Sequence, residues 1–183
     1  MTSASHLVAA LAACVLASCG DAPSRAPGAP SPAELTDDAI GYYCGMMLVE
    51  HEGPKAQIFL AGETAPKWFS QVRDAVHFLR APEEFADPVA FYVTDMSDPA
   101  RRDPAENPLW IDARSAYFVI GARAAGGMGA PEAIPFASAD SAARFAAEQG
   151  GEVRRLDEIP QAYVEAPFKA PGENEGETHA DHQ

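Results

Sequence analysis

Cys44, Met46 and His51 fall within one short stretch, Tyr42-Tyr43-Cys44-Gly45-Met46-Met47-Leu48-Val49-Glu50-His51, at the head of the first apolar run beyond the N-terminal segment. A thiolate beside a thioether is soft ligation, which among common biological metals favours copper(I). Residues 41–49 read as a strand, and on that reading Cys44 and Met46 project from one face, about 7 Å apart at the backbone. Gly45 between them removes a side chain and lets the backbone bend. His51 has the opposite parity and would need the turn at Glu52-Gly53-Pro54, or a bulge, to swing towards the sulfurs. Copper(I) accepts two or three soft ligands, so a third is open to remote residues. Met128, in Gly126-Gly127-Met128-Gly129, stands on a loop with no pattern to bury it. Met96, at a strand end, is the next choice, although packing explains it better, and Met47 reads as a core side chain.

The elements that would position these residues follow from periodicity. Residues 55–61 read as a strand, joined to 41–49 by the turn chemistry of Gly53-Pro54, which suggests a hairpin. Pro66 opens a helical pattern in which Trp68, Phe69, Val72, Ala75, Val76 and Leu79 recur at three- and four-residue steps, with Lys67, Ser70, Gln71, Asp74 and His77 on the opposite face. Residues 88–94 form the next strand. Further on, 109–112, 116–120 and 133–136 are strand material, Ser138 caps a helix over 139–149 that stops at Gly150-Gly151, and 152–156 returns as a strand. The chain thus runs strands, helix, strand twice, an α+β arrangement of two small units over 36–104 and 105–165.

The N-terminus carries a different message. The apolar run 7–17 is too short for a comfortable membrane span and ends in small residues, as signal peptides do. Leu16-Ala17-Ser18-Cys19 resembles a lipobox, which makes residues 1–18 a lipoprotein signal peptide and Cys19 the lipidation site. The Pro- and Ala-rich 19–35 read as a flexible tether. Cys14 leaves with the signal and Cys19 takes lipid, so Cys44 has no cysteine partner, which is unusual in an oxidising compartment.

The chain of 183 residues has a net charge of −14, which repels nucleic acid and anionic headgroups. Glu173, Glu175, Glu177 and Asp181 belong to an acidic end, 166–183, too polar to fold. Metal-spaced cysteine pairs, glycine-rich phosphate loops, Gly-x-Ser-x-Gly elbows and His-Glu-x-x-His helices are all missing from the sequence. A thiol-dependent lyase or oxidoreductase with Cys44 as nucleophile, paired with His77, is the alternative to metal carriage, though His77 falls on the polar helix face.

Tyr43-Cys44-Gly45-Met46, the stretch 50–58, Trp68-Phe69, Tyr92-Val93-Thr94-Asp95, Trp110-Ile111-Asp112-Ala113, Gly127-Met128-Gly129 and Phe145-Ala146-Ala147-Glu148, taken in order, resemble the NosL family of nitrous-oxide-reductase accessory lipoproteins. The resemblance implies a periplasmic, membrane-anchored copper(I) chaperone rather than an enzyme. It would serve nitrous oxide reductase alongside an ABC-type maturation complex. The resemblance also implies a fold of two similar ββαβ units related to part of organomercurial lyase, with Cys44 and Met46 as the expected ligands. Met128 and His51 complete the set of metal-ligating candidates.

Overall fold

The computed structural model describes residues 28–81, 87–98 and 108–167. The signal segment with Cys19, and the acidic end from 168, lie outside them. The fold is α+β, with antiparallel strands in two sheets. Strand β1 (Ala56–Leu60), β2 (Lys67–Phe69), helix α1 (Val72–Arg80) and β3 (Pro88–Thr94) come first. They are followed by β4 (Trp110–Asp112), β5 (Tyr117–Ile120), β6 (Ile134–Phe136), α2 (Ala139–Gln149), β7 (Glu152–Arg154) and a short α3 (Gln161–Glu165). The first sheet has the order β2-β1-β3-β4 and the second β6-β5-β7. In each, a central strand is flanked by the next strand in sequence and by the strand that follows the helix, so one ββαβ plan occurs in both halves.

Strand β1 is buried along its whole length because it pairs on both edges, with β2 and with β3. Its alternate residues Ala56, Ile58 and Leu60 face a core completed by Phe69, by Val72, Ala75, Val76 and Phe78 of α1, and by Phe118 and Ile120 of β5. The intervening Val119 faces the opposite way, to a second core with Ile134, Phe136, Ala142 and Phe145. Strand β5 therefore shares its faces between the two cores, as period-two alternation dictates. Helix α2 has the boundaries expected from sequence. Ser138 Oγ accepts from Ser141 N–H at 3.2 Å, and Gly150 at φ 76° ends the helix.

Three expectations are corrected. Residues 41–49 are not a strand. Only isolated bridges form, Ile40 with Met47 and Gly41 with Trp68, the chain between 41 and 47 turns, and Leu48–Glu50 is a single 3-10 turn. Gly45 has a φ of 67°, a left-handed conformation that breaks any ladder. No hairpin therefore joins 41–49 to β1. The first helix does not begin at Pro66, because Trp68 and Phe69 pair with Gln57 and Ala56 as strand β2. Aromatic residues suit a pleated, half-buried surface, and here sheet pairing overrides the three- and four-residue spacing.

Part of the stretch read as a tether is docked. Gln57 exchanges hydrogen bonds with Ala33, accepting from its N–H at 2.8 Å and donating to its carbonyl at 3.2 Å, and Tyr92 Oη donates to Pro30 O at 2.7 Å. At the other end, α3 packs Val164 into the main core, and the Arg73 side chain donates to the carbonyls of Val164 and Ala166.

Candidate metal centre

The Cys44 loop is closed by its own backbone. Gly41 N–H donates to Met46 O at 2.9 Å, Gly45 N–H donates to Gly41 O at 2.8 Å, and Leu48 N–H donates to Ala39 O at 2.9 Å. The loop also covers the open edge of β2, with Tyr42 N–H donating to Trp68 O at 2.7 Å. Tyr42 and Tyr43 anchor it by laying their rings on Phe69 and Phe78, with centroids 5.3 to 6.4 Å apart. Two aromatic side chains thus dock on the core a loop whose shape its own backbone hydrogen bonds set.

Cys44 is half-buried and its Sγ lies 3.5 Å from Ser70 Oγ, at the turn that leads from β2 into α1. A Cβ at Gly41 would sit 2.4 Å from that sulfur, so glycine at 41 is what gives the thiol its place. Met46 is 37% exposed, and Met47, expected in the core, is 39% exposed. Two thioethers and a thiol therefore meet solvent on one loop rather than along one face of a strand. His77 packs edge-on against Tyr43, at 6.3 Å between centroids, while Cys44 contacts Ser70. Met96 is buried in the second core, where Thr94 Oγ1 donates to its sulfur at 3.9 Å.

His51 follows the 3-10 turn directly. Its Nε2 is enclosed and meets no hydrogen-bond partner among the described residues, which leaves a nitrogen available to a metal. The loop after it is stiffened by Lys55, fully buried, whose ammonium donates to Glu52 O at 3.0 Å and Gly53 O at 2.7 Å. Against this loop lies the turn that carries Met128. A Cβ at Gly127 would come within 2.3 Å of Glu52 O and 2.9 Å of His51 Cβ. Met128 itself is 40% exposed. The Met128 turn and His51 are thus in contact, and His51 is joined through one helical turn to the Cys44 loop. Among the described residues no group of three His, Cys, Asp or Glu is placed to hold a metal ion.

Residues 32–164 match the family model described as NosL. The chain belongs to the NosL family. One NosL relative, a copper-binding lipoprotein of Achromobacter cycloclastes, is 47% identical over 143 residues, which is 78% of this chain and 74% of that protein. Another, the copper-binding lipoprotein NosL of Stutzerimonas stutzeri, is 32% identical over 162 residues, 88% of this chain and 83% of that one. Among solved structures, the copper chaperone NosL from Shewanella denitrificans superposes with a TM-score of 0.63 at 32% identity, covering 72% of this chain and 97% of that one. In this NosL chain no helix among the described residues is long and apolar enough to cross a membrane.

Sequence reasoning missed Gly41 and Ser70, because each meets the Cys44 sulfur only through the folded path of the chain.

Proposed function

We propose that the chain is a lipid-anchored copper(I) chaperone of the periplasm that delivers copper for the assembly of nitrous oxide reductase, alongside an ABC-type maturation complex. Cys44 and Met46 are the principal ligands, with Met128 or His51 completing the site. The observation that carries this reading is the Cys44 loop itself. It holds a thiol against Ser70 and leaves neighbouring thioethers at the surface. The copper-binding relatives support the metal, and the soft donor set supports its +1 state. Exposure has a use in transfer, since a partner's sulfur or imidazole can enter an open position and take copper by ligand exchange. Handing over, not catalysis, is the proposed task, and Cys19 is the proposed anchor.

The test is an anaerobic copper(I) titration of the chain without residues 1–19, against a competing chelator. Wild type is expected to bind one ion, and Cys44→Ser and Met46→Leu are each expected to weaken binding by more than tenfold, about 1.4 kcal/mol. Copper(I) is also expected to slow alkylation of Cys44. Weak binding indifferent to both substitutions would sink the proposal.

A further inference from the structure

Glu132 stands between the two units with its carboxylate enclosed, the residue only 1% exposed. Its Oε1 accepts from Arg73 N–H at 2.8 Å and from Ala133 N–H at 2.7 Å, and Oε2 accepts from Val72 N–H at 3.2 Å. Val72 and Arg73 open α1, where the first N–H groups of a helix have no partner within it. The residue placed to serve them, Gln71, makes no side-chain cap, and its Nε2 instead donates to Asp74 Oδ2 at 3.0 Å. A carboxylate from the second unit supplies the cap that the first unit lacks.

The same carboxylate seats the Met128 turn. Gly126 runs so close that a Cβ there would fall 2.7 Å from Glu132 Oε2 and 3.0 Å from Gln71 Oε1. Gly126 also closes the turn at both ends, its N–H donating to Ala130 O at 2.9 Å and its carbonyl accepting from Gly129 N–H at 2.8 Å. Whatever fixes Gly126 fixes the path of Met128. On the other side, the capped end of α1 continues through Gln71 into Ser70, whose hydroxyl lies 3.5 Å from Cys44 Sγ. One side chain is therefore in contact with both supports of the site.

We infer that Glu132 is a positioning residue of the copper site, which, by capping α1 and seating Gly126, sets the Met128 turn against the Cys44 loop. This rests on the copper(I) reading above and on Met128 as a ligand. A cap that served stability alone would lower the unfolding midpoint and leave the placement of Met128 unchanged. A positioning role moves the copper–sulfur contacts in protein that is still folded.

The experiment uses the full chain with methionine methyl groups labelled for NMR, titrated with copper(I). In wild type the methyls of Met46 and Met128 are expected to shift and that of Met96 to stay. In Glu132→Ala the Met46 shift should persist, the Met128 shift should collapse, and copper(I) affinity should fall by about tenfold. Glu132→Gln, which keeps the length and one accepting oxygen, should restore most of both. Gly126→Ala pushes a methyl towards Oε2 while leaving the Glu132 side chain itself unaltered. It should reproduce the loss of the Met128 shift, and it decides the matter if Glu132→Ala does not fold. A Met128 shift of wild-type size in folded Glu132→Ala, or in Gly126→Ala where the former is unfolded, would overturn the inference. So would the lack of any Met128 response in wild type. In either case a Met46 response would leave the copper reading standing, whereas silence from every methionine would remove that reading as well.

Discussion

At the scale of single residues, the candidate site depends on what is missing as much as on its ligands. Glycine at 41 leaves a space that the Cys44 sulfur fills, and a methyl placed there would meet the sulfur at 2.4 Å. Gly41→Ala is therefore expected to cost about 1–3 kcal/mol of stability by overpacking. It should also displace the thiol and weaken copper(I) binding by about tenfold. Chelator competition together with thermal unfolding checks this, and unchanged affinity would mean that Cys44 tolerates a different rotamer. The residue types of the site were legible from sequence, because a thiol and a thioether in alternate positions advertise soft ligation. Their geometry was not. The alternation that suggested a strand comes from a loop held by Tyr42 and Tyr43 on the core, and those contacts lie beyond the reach of local pattern.

At the scale of elements, helix α1 shows why one boundary could be read and another could not. Helix α2 begins at a serine that caps it locally, so its start is written in adjacent residues. Helix α1 begins where Glu132 reaches it from about sixty positions along the chain. Nothing near Gln71 announces that start, and the aromatic pair Trp68-Phe69 disguises a strand as the first helical turn. The distant cap also makes stability depend on pH. Burial pushes the Glu132 carboxyl from 4.5 up to about 8, with nearby Asp74 adding to the rise and the N–H donors of Val72, Arg73 and Ala133 pulling against it. Between those two values the folded protein holds a proton that the unfolded chain has released. This group's contribution to stability is therefore full below about pH 4.5 and declines as pH rises towards about 8. Urea midpoints measured across that range are expected to fall in wild type and to fall less in Glu132→Gln. Equal slopes in the two proteins would assign the dependence to other groups.

At the scale of the whole molecule, a strand, helix, strand succession was visible in each half, but the second strand of the first unit, β2, lay hidden in the helical spacing and the 41–49 loop was read in its place. The ties between the halves were invisible, because they run through backbone carbonyls. Arg73 donates to Val164 O and Ala166 O, and Arg80 to Leu156 O and Ile159 O. Removing residues 160–183 would take Val164 out of the core and leave the buried Arg73 guanidinium without its carbonyls. A loss of about 3 kcal/mol is expected from these two effects together, read as a lower urea midpoint. An unchanged midpoint would mean that α3 is ornamental to stability. The distant cap of α1 also orders events in time. During synthesis Cys44 emerges well before Glu132, so the thiol spends that interval on an unfinished scaffold. Its helix is uncapped and the turn that brings Met128 has yet to arrive. On the proposed function, secure capture of copper thus waits for the second half of the molecule, and premature loading of a growing chain is disfavoured by the wiring of the fold itself.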